Sequence, residues 1–127
     1  MSVLQKYEEE IYTLLRIVVG FLFLWHGTQK LIGIPEASYT PPFHIKYIAG
    51  SIEFIGCLFI MTGFLTRWTA LLASGLMAFA YWIAHGTNAL LPIQNRGELA
   101  ALYCFVFLFI AAKGSGKGSL DKIFFPK

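Results

Sequence analysis

The residues with the chemistry to act lie inside or at the ends of long apolar runs. Glu53 stands in the middle of IKYIAGSIEFIGCLFIMTGFL, His26 closes an earlier run, and His85 closes a later one. A carboxylate and two imidazoles can accept, hold and pass protons or hydrogen-bond a polar ligand. An ionised carboxylate deep in hydrocarbon costs several kcal/mol unless it is paired or neutral, so such residues usually mark a pathway or site. The alternative for Glu53 is a structural pair with Arg16, Lys30 or a histidine. The alternative for His26 and His85, beside Trp25 and Trp82, is an aromatic belt at the lipid–water boundary. Glu53, His26 and His85 are the candidate catalytic groups; Arg16, Lys30, Tyr81, Asn88, Asn95 and Glu98 are candidate ligand-binding groups. His26, His85, Glu53 and Glu98 are acceptable metal ligands by type, but no local pair has metal-ligand spacing, and no metal is assigned. Cys57 and Cys104 form no CxxC motif and read as two small buried hydrophobes.

The elements that must carry these residues are membrane helices. Mean hydropathy is +0.63, with 57% hydrophobic and 13% charged residues among 127. A soluble domain of this size cannot hide that much apolar surface, whereas a bilayer solvates it. The net charge of +3 does not point to nucleic acid, because the basic residues are scattered. Four spans are expected at residues 11–31, 45–65, 68–86 and 95–112, within one domain over 1–127. The first run is too long for a signal peptide and lacks a small-residue cleavage site, so it is expected to be retained. GIPEASYTPPFH, with three prolines, is a loop, and residues 113–127 form a Gly/Ser/Lys tail. Its GSGKGS lacks the length and context of a phosphate-binding loop.

Four spans put both termini on one side. Lys6, Arg16, Arg67, Lys113, Lys117, Lys122 and Lys127 fall on that side, against Lys30, Lys46 and Arg96 on the other. The positive-inside rule then makes the termini cytoplasmic and the chain a multi-pass protein of the plasma or inner membrane.

Positions three, four and seven apart share a helix face. The first span groups Arg16, Val19, Gly20, Phe23, His26, Gly27 and Lys30. The second groups Lys46, Ala49, Gly50, Glu53, Gly56, Cys57 and Ile60, where small residues suit close packing in lipid. The third groups Arg67, Ala70, Ser74, Met77, Tyr81, His85 and Asn88, and the fourth Glu98, Ala101, Leu102, Phe105 and Phe109. One inward side per helix gives an all-α, transmembrane four-helix bundle. His26, Glu53, His85, Asn95 and Glu98 converge on its outer half, and a ligand is expected in a pocket between the first and second helices. Arg16 lies nearer the cytoplasmic face, with a side chain long enough to reach towards Glu53.

HGTQKL, GSIEFIGCLFIMTGFLTR, NRGELAALY and GSGKGSLD occur in that order over nearly the whole chain. In this combination the sequence resembles the DoxX family of small four-helix membrane proteins. The resemblance implies polar family positions at Arg16, His26, Lys30, Glu53, Asn95 and Glu98. Some members look like small subunits of quinone- or quinol-linked oxidoreductases, others are tied to quinone or oxidative stress and related proteins to assembly; a redox role here implies a bound quinone-like ligand or a redox partner protein carrying the electron chemistry. Two other readings stay open: a small transporter or channel subunit, homo-oligomeric through surfaces such as Phe105 to Phe109, and a non-catalytic scaffold or assembly factor.

Overall fold

The computed structural model describes residues 2–126; Lys127, one of the terminal-side cations, lies outside them. The described chain is helical throughout its regular structure. A short α1 (Ser2–Lys6) precedes α2 (Glu8–Ile32). A π-helical turn (Ile45–Ala49) runs into α3 (Gly50–Thr62), and α4 (Thr66–Ala80) runs into a second π-helical turn (Tyr81–Gly86). Then come α5 (Pro92–Asn95), α6 (Glu98–Lys113) and α7 (Leu120–Phe124). Three continuous rods, Glu8–Ile32, Ile45–Thr62 and Thr66–Gly86, are long and apolar enough to cross a membrane. α6 has 16 residues, about 24 Å at a rise of ~1.5 Å.

α2 opens three residues before the expected start, at Glu8, and three other boundaries depart from the sequence expectation for a local reason. α3 stops at Thr62, three residues early, because Gly63 takes a left-handed φ of 71°. Phe64 N–H donates to the Phe59 carbonyl at 2.9 Å and Gly63 N–H to the Ile60 carbonyl at 3.3 Å, the paired bonds of a Schellman stop. α4 starts at Thr66, two residues early, because the distant Asp121 carboxylate accepts from the amides of Leu65 (2.6 Å) and Thr66 (3.0 Å). Asn95 is not part of α6: it ends α5, and Arg96 at φ 60° separates the two helices.

Contacts fix the register. Along α2 and α3, a Cβ on Gly20 would meet Cys57 and Met61, and one on Gly27 would come within 2.6 Å of the Phe54 amide nitrogen. Gly50, in turn, lies against Lys30 and Leu31. These helices are therefore antiparallel and nearly touch backbone to backbone, the approach that small residues permit in an apolar medium. Along α4 and α6, Arg67 meets the carbonyls of Ala111 and Ala112, Ser74 meets Cys104, and Tyr81 lies on Gly97. The circuit closes where Phe23 of α2 packs on Tyr103 and Phe107 of α6, with ring centroids 5.3 and 4.7 Å apart. The core of Phe23, Cys57, Ile60, Ala70, Ala73, Phe107 and Ile110 fills the centre.

The inward faces expected for the first three spans hold through the middle of each helix: Arg16, Val19, Gly20, Phe23 and Gly27; Ala49, Gly50, Glu53, Gly56, Cys57 and Ile60; Ala70, Ser74 and Met77 are all buried. The fourth is the reverse of expectation. Phe105 is 70% and Phe109 52% exposed, and Glu98 and Leu102 are exposed too, while Tyr103, Phe107 and Ile110 turn inward. α6 is apolar all the way round, so Glu98 alone had picked its face, and packing against Phe23 decides otherwise. Phe107 therefore does not belong to the outward surface that Phe105 and Phe109 form.

Candidate functional site

At the end of the bundle away from the termini, Lys30 and Glu53 meet across the α2–α3 seam. Lys30 Nζ donates to Glu53 Oε1 and Oε2 at 2.5 and 2.6 Å. The Glu53 side chain is 1% exposed and that of Lys30 25%. Lys30 belongs to the last turn of α2 and its Cβ rests on Gly50, so its stem runs inward by about one turn to reach the carboxylate. A lysine this close to a helix end ordinarily extends outward to water; here the unpaired alternative for Glu53 is costlier, because an isolated buried carboxylate loses its hydration without a counter-charge. The glycine contacts of the seam are what bring the two side chains within reach.

His26 is half-buried at the same level. Its ring stands edge-on to Tyr103 at 6.0 Å and tilted to Phe23 at 6.3 Å. Glu53, Lys30, His26 and Tyr103 thus form one tier built by α2, α3 and α6. Tyr103 was not foreseen from the sequence; its spacing of four from Phe107 on an all-apolar helix gave no sign that it faced His26.

A second polar tier lies further out. Ser74 sits against Cys104, so the level of Tyr103 falls near Gly75, and His85 is about ten residues beyond, roughly 15 Å along the axis. Asn95, buried, organises it. Its Nδ2 donates to Tyr81 Oη (3.2 Å) and the Ala89 carbonyl (3.1 Å), while its Oδ1 accepts from Gly97 N–H (2.8 Å). Its own carbonyl faces His85 Nδ1 at 3.0 Å. A carbonyl only accepts, so Nδ1 carries the proton of this contact. Glu53 and His85 are therefore not brought into contact. Asn88 is exposed and bonds the Ala84 carbonyl one turn back, and Glu98 is exposed.

Arg16 is at the opposite end. Eleven residues separate it from Gly27, about 16 Å along α2, so it does not reach Glu53. It is fully buried and donates to the carbonyls of Ser115 and, at 3.1 Å, Gly118 in the tail. The expected pocket between the first and second helices is closed at Gly27, where the two backbones leave no room for a methyl group. An open apolar groove of about 320 Å³ lies instead on the outer side of α3 and α4, between Ile52, Ile55, Phe59, Trp68 and Leu72.

The sequence pattern of the DoxX family matches residues 11–86, from α2 through the second π-helical turn. The chain belongs to the DoxX family. An uncharacterized protein of Haemophilus influenzae is 37% identical to it over the full length of both chains. The inner membrane protein YqjF of Escherichia coli K12 is 32% identical, over 94% of this chain and 96% of its own. No solved structure matches. With its apolar rods, this DoxX chain is a membrane protein.

Both π-helical turns of this DoxX protein sit at the end that carries the two polar tiers. Such turns widen a helix by one residue and recur where side chains must be re-aimed. Nothing in IKYIA or YWIAHG distinguishes them from ordinary helix, and sequence reading missed both.

Proposed function

We propose that this is a multi-pass inner-membrane protein with four spans, α6 making the fourth, and with both termini in the cytoplasm. In this reading it serves a quinone-linked redox system as a small accessory or subunit. The observation that carries the reading is the Lys30–Glu53 tier: a carboxylate sealed from solvent, paired to an ammonium that stays a quarter exposed, with His26 beside it. The closed seam at Gly27 rules out a ring between α2 and α3. The open flank of Lys30 and His26 fits a ligand with an apolar tail and polar ring oxygens. Lys30 Nζ would donate to a ring oxygen, Glu53 would hold the ammonium in place, and His26 would bind the ring or take its proton. Bound there, a quinone supplies two-electron, two-proton chemistry, and a partner protein supplies the electrons.

The test is a thermal shift of the purified protein with a short-tailed quinone. A rise in the parent that shrinks in Lys30→Met and Glu53→Gln supports the reading; equal behaviour of all three, with no quinone co-purifying, refutes it. The cytoplasmic placement of the termini is checked separately, by a C-terminal reporter active only in the cytoplasm.

A scaffold reading is favoured by one observation. Glu53, Asn95 and Arg16 already have their partners within the chain. It predicts that Glu53→Gln lowers stability and complex yield and leaves the turnover of a co-purified enzyme unchanged.

A further inference from the structure

The tail after α6 is not a free end. Five consecutive carbonyls, Gly114 to Gly118, each lie against a side-chain donor: Tyr12 Oη at Gly114, Arg16 Nη1 at Ser115, Ser119 Oγ at Gly116, Arg16 Nη2 at Gly118 and, at Lys117, Thr13 Oγ1, whose single proton the Glu9 carbonyl shares. Four of the five donors belong to Tyr12, Thr13 and Arg16 of α2. Gly114, Gly116 and Gly118 all have φ between 59° and 92°, the region open to glycine, and this alternation turns the carbonyls inward. GSGKGS is therefore a carbonyl cradle for a guanidinium.

Past the cradle, Asp121 turns back to the other side of the same cluster. Its carboxylate occupies the N-terminus of the fifteen-residue α4, and its own N–H donates to the Gly63 carbonyl at 2.8 Å. Gly63 is also where Arg16 and Ser119 press: a Cβ there would collide with the guanidinium. Two fully buried polar atoms in this cluster have no partner among the described residues, Arg16 Nε and Thr66 Oγ1. Thr66 is the first residue of α4. A helix N-terminus whose first amides donate to a carboxylate, with a guanidinium and an unpartnered hydroxyl behind it, is a set of groups for a carboxylate-class anion.

We propose that residues 114–121 are an intramolecular ligand: a strap that supplies in cis both the acceptors for Arg16 and the carboxylate for an anion site at the start of α4. Docking of the strap makes the buried charge on the first span tolerable. Until the chain is complete to Gly118, Arg16 lacks these acceptors. The strap also carries an outer latch, in which Lys113 pairs with Glu8 and Glu9 and Lys117 with Glu10. These pairs are exposed, and salt screens them; the inner contacts are not screened.

Limited trypsin digestion of the full-length protein in detergent reads strap docking directly, at Lys117 and Lys122. Asp121→Ala is expected to speed cleavage there by about tenfold, the scale of losing one helix cap on local opening. Sodium formate should reverse much of that, whereas sodium chloride at equal ionic strength should not. Gly118→Val should loosen the strap more than Gly118→Asn, since asparagine tolerates the left-handed region. The parent should stay protected in high salt. Asp121→Ala cleaved at the parental rate, or accelerated without recovery in formate, would overturn the anion site. Gly118→Val cleaved like the parent would overturn the cradle.

Discussion

Two cations of this protein, Lys30 and Arg16, are accommodated in opposite ways. Lys30, at one end, meets a carboxylate in a two-pronged pair and leaves its ammonium partly open. Arg16, at the other, is wholly enclosed, and among the described residues its hydrogen bonds go to neutral carbonyls. The chemistry of the head groups explains the difference. An ammonium is a compact point charge that a single carboxylate satisfies, whereas a guanidinium spreads donors over a plane that several separated oxygens must meet. The Lys30 end is a local pair made by two helices. The Arg16 end is a junction that ties α2, the α3–α4 turn and the tail into one unit.

The sharpest way to break the comparison is to remove one partner of each. Lys30→Met leaves the Glu53 carboxylate buried alone and should cost about 3 kcal/mol in denaturant unfolding. Adding Glu53→Gln should recover most of it; a Lys30→Met protein as stable as the parent would mean that the pair contributes nothing.

Arg16→Met removes the cation but strands the Ser115 and Gly118 carbonyls, for a loss of about 2 kcal/mol. Arg16→Lys should restore less than half, because an ammonium on a shorter fork does not serve both oxygens. A full rescue by lysine would erase the contrast between the two ends. Gly27→Ala tests the seam that holds Lys30 to Glu53. Its Cβ would lie 2.6 and 2.8 Å from Phe54 backbone atoms, so about 1–2 kcal/mol should be lost, while Phe105→Ala on the outer face should stay within about 0.5 kcal/mol.

The smallest effect belongs to the outer latch. The Glu10 carboxylate beside Lys117 holds its ammonium above the ordinary lysine value of 10.5. A raised folded value means that the contribution is complete below that ordinary value and fades as pH rises through the raised one. Hydrogen-exchange protection of the tail should therefore be level across neutral pH and drop only in the alkaline range, with Lys117→Gln shrinking that drop and leaving the share of Lys113, which Glu8 and Glu9 raise in the same way.

Much of the bundle was legible because α2 and α3 mix glycine and charge on one face each. Only an inter-helix seam has a use for such a face in lipid. The same logic failed on α6, where every face is apolar and a single glutamate had to stand for the pattern. It also failed for Arg16: helical spacing put it on the same stripe as Lys30, and that stripe says nothing about a loop 99 residues away in sequence. The seam at Gly27 closed the pocket that the outer-half cluster had suggested, because small residues that bring helices together also remove the space between them.

Composition and period alone determined that this chain lives in a bilayer, that it is helical, and that a buried Glu53 must be paired or neutral, since each follows from the cost of leaving apolar surface in water or charge in oil. Which partner Glu53 has, which face of α6 turns inward, and that the tail folds back over Arg16 were decided by tertiary structure. Those outcomes rest on distances between residues far apart in the chain, and a hydrophobic pattern is blind to them.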